Sequence, residues 1–180
     1  MSHDGHMGLT RLDIDHLTRC VALAEESLEA SDEPFGSILV DADGSVLYEG
    51  RNRVAGGDAT AHPELAIAQW ALANLDPERR AAATVYTSGE HCPMCAGAHG
   101  WAGLGRIAFV ASAAMLDSWH RDWGVGRGRV AALPINLVVP GIEVVGPAEE
   151  LVPRIRYLHF QAHQETLRRP AAVEGSGGAT

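Results

Sequence analysis

The sequence predicts a single α/β domain in which one mixed five-stranded sheet lies between helices on both faces. The chain has 180 residues, which is enough to bury one core and too few to require two domains. Apolar residues make up 46% and charged residues 21%, the composition of a globular chain rather than a disordered one. Segments with helical spacing alternate with short apolar runs, which is typical of a three-layer α/β/α sandwich.

The first half of the chain is predicted to form a helix, a hairpin and a second helix. Apolar residues recur with helical spacing over 12–30, which predicts an amphipathic helix. Two short apolar runs at 37–40 and 46–48 are separated by turn residues at 41–44, a pattern that indicates a β-hairpin. Residues 63–75 are apolar at most positions, so we expect a buried helix there.

The second half alternates strands with helices. Residues 84–87 and 106–111 have the composition of strands. Between them, 92–104 is rich in glycine and alanine, so we expect a helix packed close to the sheet, with Trp101 inside that packing. The segment 115–124 is rich in Trp, His and Asp, which favours a functional loop or short helix.

The last strand and helix follow this segment. A fifth strand is predicted over 135–139, with 142–145 continuing or following it, and helical spacing returns over 149–167. Composition divides the chain into three parts. These parts are a disordered tail at 1–8, one domain at 9–169 and a second disordered tail at 170–180.

Charge and hydropathy exclude several classes of function. The formal net charge is −9, which argues against nucleic acid as a partner, with Arg121, Arg127 and Arg129 as the only candidate basic patch. The chain contains no lysine, which excludes Schiff-base chemistry and a phosphate-loop lysine. No apolar run reaches the roughly 18 residues of a membrane span, and no signal-peptide pattern is present, so we expect no membrane partner and a cytoplasmic location.

Two short motifs contain the residues with the clearest chemistry, His62-Pro63-Glu64 and the pair Cys92 and Cys95. A catalytic zinc ion commonly takes three protein ligands and leaves one position for water. If Cys92 begins a helix, the spacing of the two cysteines directs both sulfurs to one side. His62 can supply the third ligand from the start of another helix, and Glu64 can act beside the metal as general base and then general acid. The motifs therefore predict a Zn²⁺ site with Glu64 as the catalytic residue.

Other interpretations of these motifs stay open at this point. Cys92 and Cys95 have the spacing of a redox pair. A structural zinc site would need a fourth ligand, and His91 and His99 are close enough in sequence to be considered. In that case the protein would be a non-catalytic, zinc-stabilised binding module.

The run at 87–98, with Phe35 and Asn52 upstream, resembles the cytidine deaminase-like superfamily. Within it, the chain is most similar to the guanine deaminase and tRNA adenosine deaminase branch, over roughly 12–165. The resemblance implies a cytidine deaminase-like fold, a homodimer and a hydrolytic deaminase that replaces a ring amino group with oxygen and releases ammonia. It also implies the zinc ligands and the proton-transferring carboxylate already named: His62, Cys92, Cys95 and Glu64.

The resemblance implies two substrate contacts, with Asn52 hydrogen-bonding the base and Phe35 near the pocket. Two positions depart from the family pattern: His91 replaces a proline, and Pro63 replaces an alanine whose amide helps to recognise the base in cytidine-type members. We expect a free nucleobase or a base-like ring as substrate, such as guanine, a cytosine analogue or an aminotriazine, with tRNA adenosine deamination as the alternative. The remaining candidate substrate contacts are Pro63 and His91 themselves, together with Ser88, Trp119, His120, Asp122 and Trp123.

Overall fold

A computed structural model describes residues 8–168 of the chain. The predicted tails, 1–8 and 170–180, lie outside these residues apart from Gly8. The helices and strands are α1 (Arg11–Glu29), β1 (Gly36–Val40), β2 (Val46–Arg51), α2 (Pro63–Asn74), α3 (Pro77–Ala82), β3 (Thr84–Gly89), α4 (Pro93–Ala102), β4 (Ile107–Ala111), α5 (Ala113–Asp122), α6 (Ile135–Val138), β5 (Val144–Val145) and α7 (Val152–Arg168).

The five strands form one mixed sheet in the order β2-β1-β3-β4-β5. β1 pairs antiparallel with both β2 and β3, whereas β3, β4 and β5 run parallel to one another. Helices α1 and α7 pack on one face, and α2 and α4 pack on the other. The predicted α/β sandwich with a five-stranded mixed sheet is confirmed.

Alternating side chains of the central strands supply two separate cores. On β1, Ile38 packs with the α1 and α7 residues, whereas its neighbour Leu39 packs with α2. On β3, Tyr86 and Val85 divide between the two faces in the same way. Because successive strand residues point to opposite faces, a sheet covered on both sides buries every position of such a strand. All five residues of β1 are buried accordingly.

One predicted strand is wrong. Residues 135–139 do not extend the sheet, because Ile135–Val138 form the short helix α6 and the fifth strand is Val144–Val145. Ile135 is fully buried against Phe109 of β4 and Ala96 of α4. A run of four or five apolar residues has the same composition in a buried strand and in a buried helical turn, so periodicity does not separate them. Pro134 at the N-cap position begins the helical turn.

The predicted packing of Trp101 is also wrong. Its side chain is 91% exposed. Helix α4 turns Cys95, Ala96, His99 and Ala102 toward the protein interior, which places Trp101 on the opposite side of the helix. Within residues 8–168, no helix combines the length and the apolarity needed to cross a bilayer.

A buried ion pair connects the start of α1 with the start of β4. Asp13 is 3% exposed and accepts hydrogen bonds from Thr10, from the Tyr86 hydroxyl at 2.8 Å and from Arg106 at 2.7 and 3.1 Å. Burial alone would raise the pKa of the Asp13 carboxyl, but these donors outweigh burial and hold the pKa well below its ordinary value. The Asp13 carboxyl is therefore ionised in the folded protein.

Replacing Asp13 with alanine should lower the free energy of unfolding by about 3 kcal/mol, because Arg106 then loses a buried partner. The wild-type contribution should be present above the unfolded-state pKa of about 4 and should decline as pH falls below it. Urea unfolding at pH 7 and at about pH 3 measures both effects. Asp15→Ala is the control, since Asp15 and Arg11 form an exposed pair on the same helix and should change the free energy by less than about 1 kcal/mol. Equal losses for both variants would contradict this account.

Candidate metal centre and active site

Helices α2 and α4 begin side by side, and the residue immediately before each helix is a candidate metal ligand. His62 is the N-cap residue of α2 and Cys92 is the N-cap residue of α4, and both have extended backbone conformations. Pro63 and Pro93 follow them as the first helical residues. Proline suits this position because its φ is already helical and no amide hydrogen is needed there. The two X-Pro steps therefore place a donor at the start of each helix.

The three predicted ligands come together. Cys92 Sγ lies 3.7 Å from His62 Nδ1, and Cys95 Sγ lies 3.6 Å from the same nitrogen. All three donor atoms lie within 4.8 Å of one another. For a tetrahedral zinc ion with Zn–S near 2.3 Å and Zn–N near 2.0–2.1 Å, the sulfur-to-nitrogen distance is about 3.6 Å. The spacing of the donors thus fits a zinc ion.

Hydrogen bonding and burial shift the pKa values of the two cysteine thiols in opposite directions. The hydrogen bond from Cys95, with a further one from His62, lowers the pKa of the Cys92 thiol to about 4. The same hydrogen bond and burial raise the pKa of Cys95, so the protein alone supports one thiolate beside one thiol. A divalent cation allows both sulfurs to be thiolates together.

His91 and His99, which sequence analysis considered as fourth ligands, bind each other instead. His91 Nε2 lies 3.3 Å from His99 Nδ1, and His99 Nε2 lies 2.9 Å from the Gly105 carbonyl. Because that carbonyl accepts only, His99 Nε2 carries a proton and its Nδ1 accepts from His91. Burial lowers the pKa of both rings, so both are neutral. Within residues 8–168, the metal-binding group contains His62, Cys92 and Cys95 and no fourth side chain.

Glu64 is a buried carboxylate beside this group. It is 5% exposed, and its Oε1 lies 2.9 Å from the Ser37 hydroxyl and 3.1 Å from the Thr87 hydroxyl. Burial is the main influence on Glu64 and raises its pKa, while these hydrogen bonds oppose the rise. Ser37 and Thr87 lie on adjacent strands, so the sheet itself fixes one oxygen of the carboxylate.

A cavity of about 210 Å³ opens over the metal-binding group. One side of it contains predicted site residues and Glu90, and the opposite wall comes from α5 and the loop after it. The first side consists of Phe35, His62, Glu64, Glu90 and Cys92. The wall consists of Ala113, Leu116, Asp117, His120, Gly128, Val130, Ala131, Ala132 and Leu133.

Asn52 lies next to Phe35, whose carbonyl accepts a hydrogen bond from the Asn52 amide at 3.0 Å. The side chain is fully buried, and its Oδ1 accepts from the Val54 amide at 2.9 Å. Its Nδ2 has no hydrogen-bond partner within residues 8–168. Asn52 therefore has an unused donor and a fixed acceptor.

Several predicted substrate contacts lie away from this cavity. Ser88 accepts a hydrogen bond from the Gly36 amide at 3.1 Å, and Pro63 lines a different cleft against β2. His91 contacts His99, as described above, and Asp122 is exposed. Trp119 and Trp123 pack toward α7, where Trp119 is part of the core and Trp123 stacks on His163.

Helix α5 covers most of the segment 115–124 and borders the cavity. The side of the helix that faces the cavity is not the side that we expected. Ala113, Leu116, Asp117 and His120 recur at the spacing of one helical face and line the wall. Only His120 of the four residues predicted in this segment is among them. The cavity residues that sequence analysis missed are Glu90, Ala113, Leu116, Asp117, Gly128 and 130–133. The helical spacing of 113, 116, 117 and 120 is a signal that identifies the α5 residues.

The family described as the cytidine and deoxycytidylate deaminase zinc-binding region matches residues 10–111. The chain belongs to this family. All three metal-binding residues and Glu64 lie inside the matched region of this deaminase family, whereas the wall formed by 113–133 lies beyond it. The family match therefore covers the candidate zinc ligands and Glu64 but not the residues of the cavity wall.

Individual relatives differ in what they act on. The chain is 34% identical over 105 residues to a probable cytosine deaminase of Schizosaccharomyces pombe, covering 58% of this chain and 63% of the relative. It is 41% identical over 97 residues to a guanine deaminase of Bacillus subtilis, covering 53% of this chain and 62% of the relative. The matches thus span less than two thirds of these relatives. A solved structure of a guanine deaminase from Nitrosomonas europaea has the same fold, with a TM-score of 0.63, 20% identity and coverage of 91% of this chain and 98% of that one.

We expect the purified protein to bind one zinc ion per chain, measured by elemental analysis after dialysis. His62→Ala and Cys95→Ala should each lose most of the bound zinc, because each leaves only two of the three protein donors that a catalytic zinc ion needs. Cys20→Ala is the control, since Cys20 is a buried free cysteine outside the group. Full zinc content in His62→Ala would contradict the assignment.

Proposed function

We propose that this chain is a zinc-dependent hydrolytic deaminase that removes an exocyclic amino group from a free nucleobase or a base-like ring. One observation carries the proposal: the metal-binding side chains His62 and Cys92 and the buried carboxylate of Glu64 line the same cavity. A hydrolytic deaminase needs activated water, a residue that moves protons and space for one ring in the same place. Membership in the deaminase family supports the reaction type.

His62, Cys92 and Cys95 are the residues that hold the ion, which when bound acts as a Lewis acid and activates water near neutral pH. Glu64 accepts a proton from the attacking water as the carbon–oxygen bond forms. It then gives a proton to the ring amino group, the carbon–nitrogen bond breaks, and ammonia leaves. Ser37 and Thr87 hold Oε1, and Oε2 accepts no hydrogen bond from another side chain within residues 8–168. We assign the proton transfer to Oε2.

The size and lining of the cavity support a small ring as the substrate. A volume of about 210 Å³ lies below the roughly 300–1,000 Å³ of pockets for drug-sized ligands. Phe35 offers an aromatic surface of the cavity for stacking. Asn52 is not among the residues that line the cavity, but it is hydrogen-bonded to Phe35, and we assign its free amide donor to a ring acceptor. Asp117 and His120 are polar groups of the opposite wall, and desolvation lowers the pKa of His120, so its ring is neutral. Guanine, cytosine analogues and aminotriazines carry both ring acceptors and amino donors, which can pair with the Asn52 amide, Asp117 and His120.

Charge supports a free ring over RNA. The net charge of −9 opposes a phosphate backbone. Arg127 and Arg129 flank Gly128 at the edge of the cavity. These two arginines, and the similarity of the chain to tRNA-specific adenosine deaminases, favour RNA. Arg121, the third member of the predicted patch, is paired with Asp117. In the described part of the chain, Arg127 and Arg129 form no ion pair, but two arginines make too few phosphate contacts for tight RNA binding at physiological salt.

We expect the zinc-loaded protein to release ammonia from at least one ring in a panel of aminopurines, aminopyrimidines and aminotriazines. Glu64→Gln should retain zinc and lose at least about 100-fold in kcat, because the amide has the same shape but accepts no proton. A coupled enzymatic assay of ammonia release measures both the turnover of the panel and the kcat of the variant. Activity only on adenosine in a tRNA stem-loop, falling steeply with salt, would establish the alternative. Zinc binding without turnover of any substrate would leave the binding-module interpretation.

We further propose that the protein is a homodimer that uses the outer side of α4 and α6. Trp101 on α4 is 91% exposed and Leu137 on α6 is 68% exposed, and these two helices contact each other. Exposed apolar side chains of this size on neighbouring elements are typical of an interface.

Sedimentation velocity should show a dimer for the wild type and a monomer for Trp101→Glu. Leu12→Glu is the control, because Leu12 is 56% exposed on α1, which packs on the opposite face of the sheet. A monomeric wild type, or dissociation by Leu12→Glu as well, would reject the proposed interface.

A further inference from the structure

Glu90 lies between the last residue of β3 and the first zinc-ligand candidate of α4, and both of its carboxylate oxygens bind main-chain amides. Oε2 accepts from the Ala113 amide at 2.8 Å, and Oε1 accepts from the Ile135 amide at 2.8 Å. Its own amide donates to the Ala111 carbonyl at 2.8 Å, which fixes its backbone to β4. One side chain therefore connects three points that are far apart in sequence.

The two amides that Glu90 binds belong to the first residues of α5 and α6. Amides in the first turn of a helix have no acceptor within that helix, so they need a partner from elsewhere. An ionised carboxylate is a strong acceptor, and hydrogen bonds to it are stronger than those between neutral groups. Glu90 satisfies both helix starts at once.

These two helix starts are also the two ends of the cavity wall. Every wall residue lies from Ala113 to Leu133, between the two points that Glu90 holds. Glu90 itself is two residues before Cys92. The carboxylate thus connects the metal-binding group directly to both ends of the segment that faces it.

The segment has few other main-chain contacts. The last hydrogen bond after α5 runs from the Val125 amide to the His120 carbonyl, at 2.8 Å. Within residues 8–168, no main-chain amide from 126 to 134 donates a hydrogen bond, and the next donor is Ile135, to Glu90. Residues 126–134 are exposed throughout. The position of this loop over the cavity therefore depends on its two ends.

We propose that Glu90 is a positioning residue that sets the distance between the metal centre and the wall that recognises the ring. This inference rests on the proposed deaminase function. In this role Glu90 acts through the main-chain amides of Ala113 and Ile135, which its two oxygens bind, and not through contact with the substrate. Its effect comes through Asp117, His120 and the apolar residues 130–133, whose distance from Glu64 it determines. A displacement of about 1 Å in such a wall can cost about 100-fold in rate.

Glu90→Gln tests this, because glutamine keeps the size of the side chain but presents an amide group to one of the two main-chain donors. Ser112→Ala is the matched control. The Ser112 hydroxyl caps the same helix start by accepting from the Met115 amide at 3.2 Å, without reaching α6. Both variants should lower the melting temperature and keep stoichiometric zinc. Only Glu90→Gln should raise KM for the ring substrate, by about tenfold or more.

Hydrogen exchange followed by mass spectrometry separates this inference from the proposed function. In zinc-loaded Glu90→Gln, exchange should become faster in peptides containing Ala113 and Ile135, whereas Ser112→Ala should accelerate only the first of these. If exchange rises as expected but KM and kcat stay at wild-type values, Glu90 is merely structural and the inference is wrong. If the wild type turns over no ring, the proposed function fails. The exchange result still shows whether Glu90 holds the starts of α5 and α6. Loss of zinc from Glu90→Gln would also overturn a role confined to the wall.

Discussion

The packing of α2 against α4 is the constraint on which the site depends. The two helices share a core of small side chains, among them Ala68, Ala71 and Ala102, which lets them approach closely on one face of the sheet. Because both helices begin with an X-Pro step, their N-termini bring an imidazole and two sulfurs to within bonding reach of one ion. Larger residues in this core would separate the donors before they changed the sheet.

The sheet contributes the second requirement, a carboxylate that is buried but still held by hydrogen bonds. An unpaired carboxylate in such a position would carry a large desolvation cost. Ser37 and Thr87 come from adjacent strands and face the same side of the sheet, so strand pairing and carboxylate orientation are set by the same register. Fold and chemistry are linked here through two hydroxyl groups.

The metal-binding residues and Glu64 were predictable because their chemistry depends on short spacings that sequence alone displays. The same is true of α1 and the hairpin, which have clear periodicity and turn residues. The strand predicted at 135–139 failed because a short apolar run has no period long enough to identify. The segment predicted to be functional does border the cavity, but the phase of α5 was not known, so Trp119 and Trp123 were expected where Leu116 and Asp117 lie. The contacts of Glu90 involve main-chain amides 23 and 45 residues away and leave no pattern in the sequence.

The loop at 126–134 has a consequence for how this protein can change. It contributes apolar residues to the cavity but no hydrogen bonds to the sheet, and it begins and ends at points that the rest of the domain holds in place. Insertions, deletions and exchanges there would leave both cores untouched, since loops without main-chain ties tolerate such changes well. Natural variation or laboratory selection confined to these nine positions can therefore reshape the cavity without displacing His62, Glu64, Cys92 or Cys95.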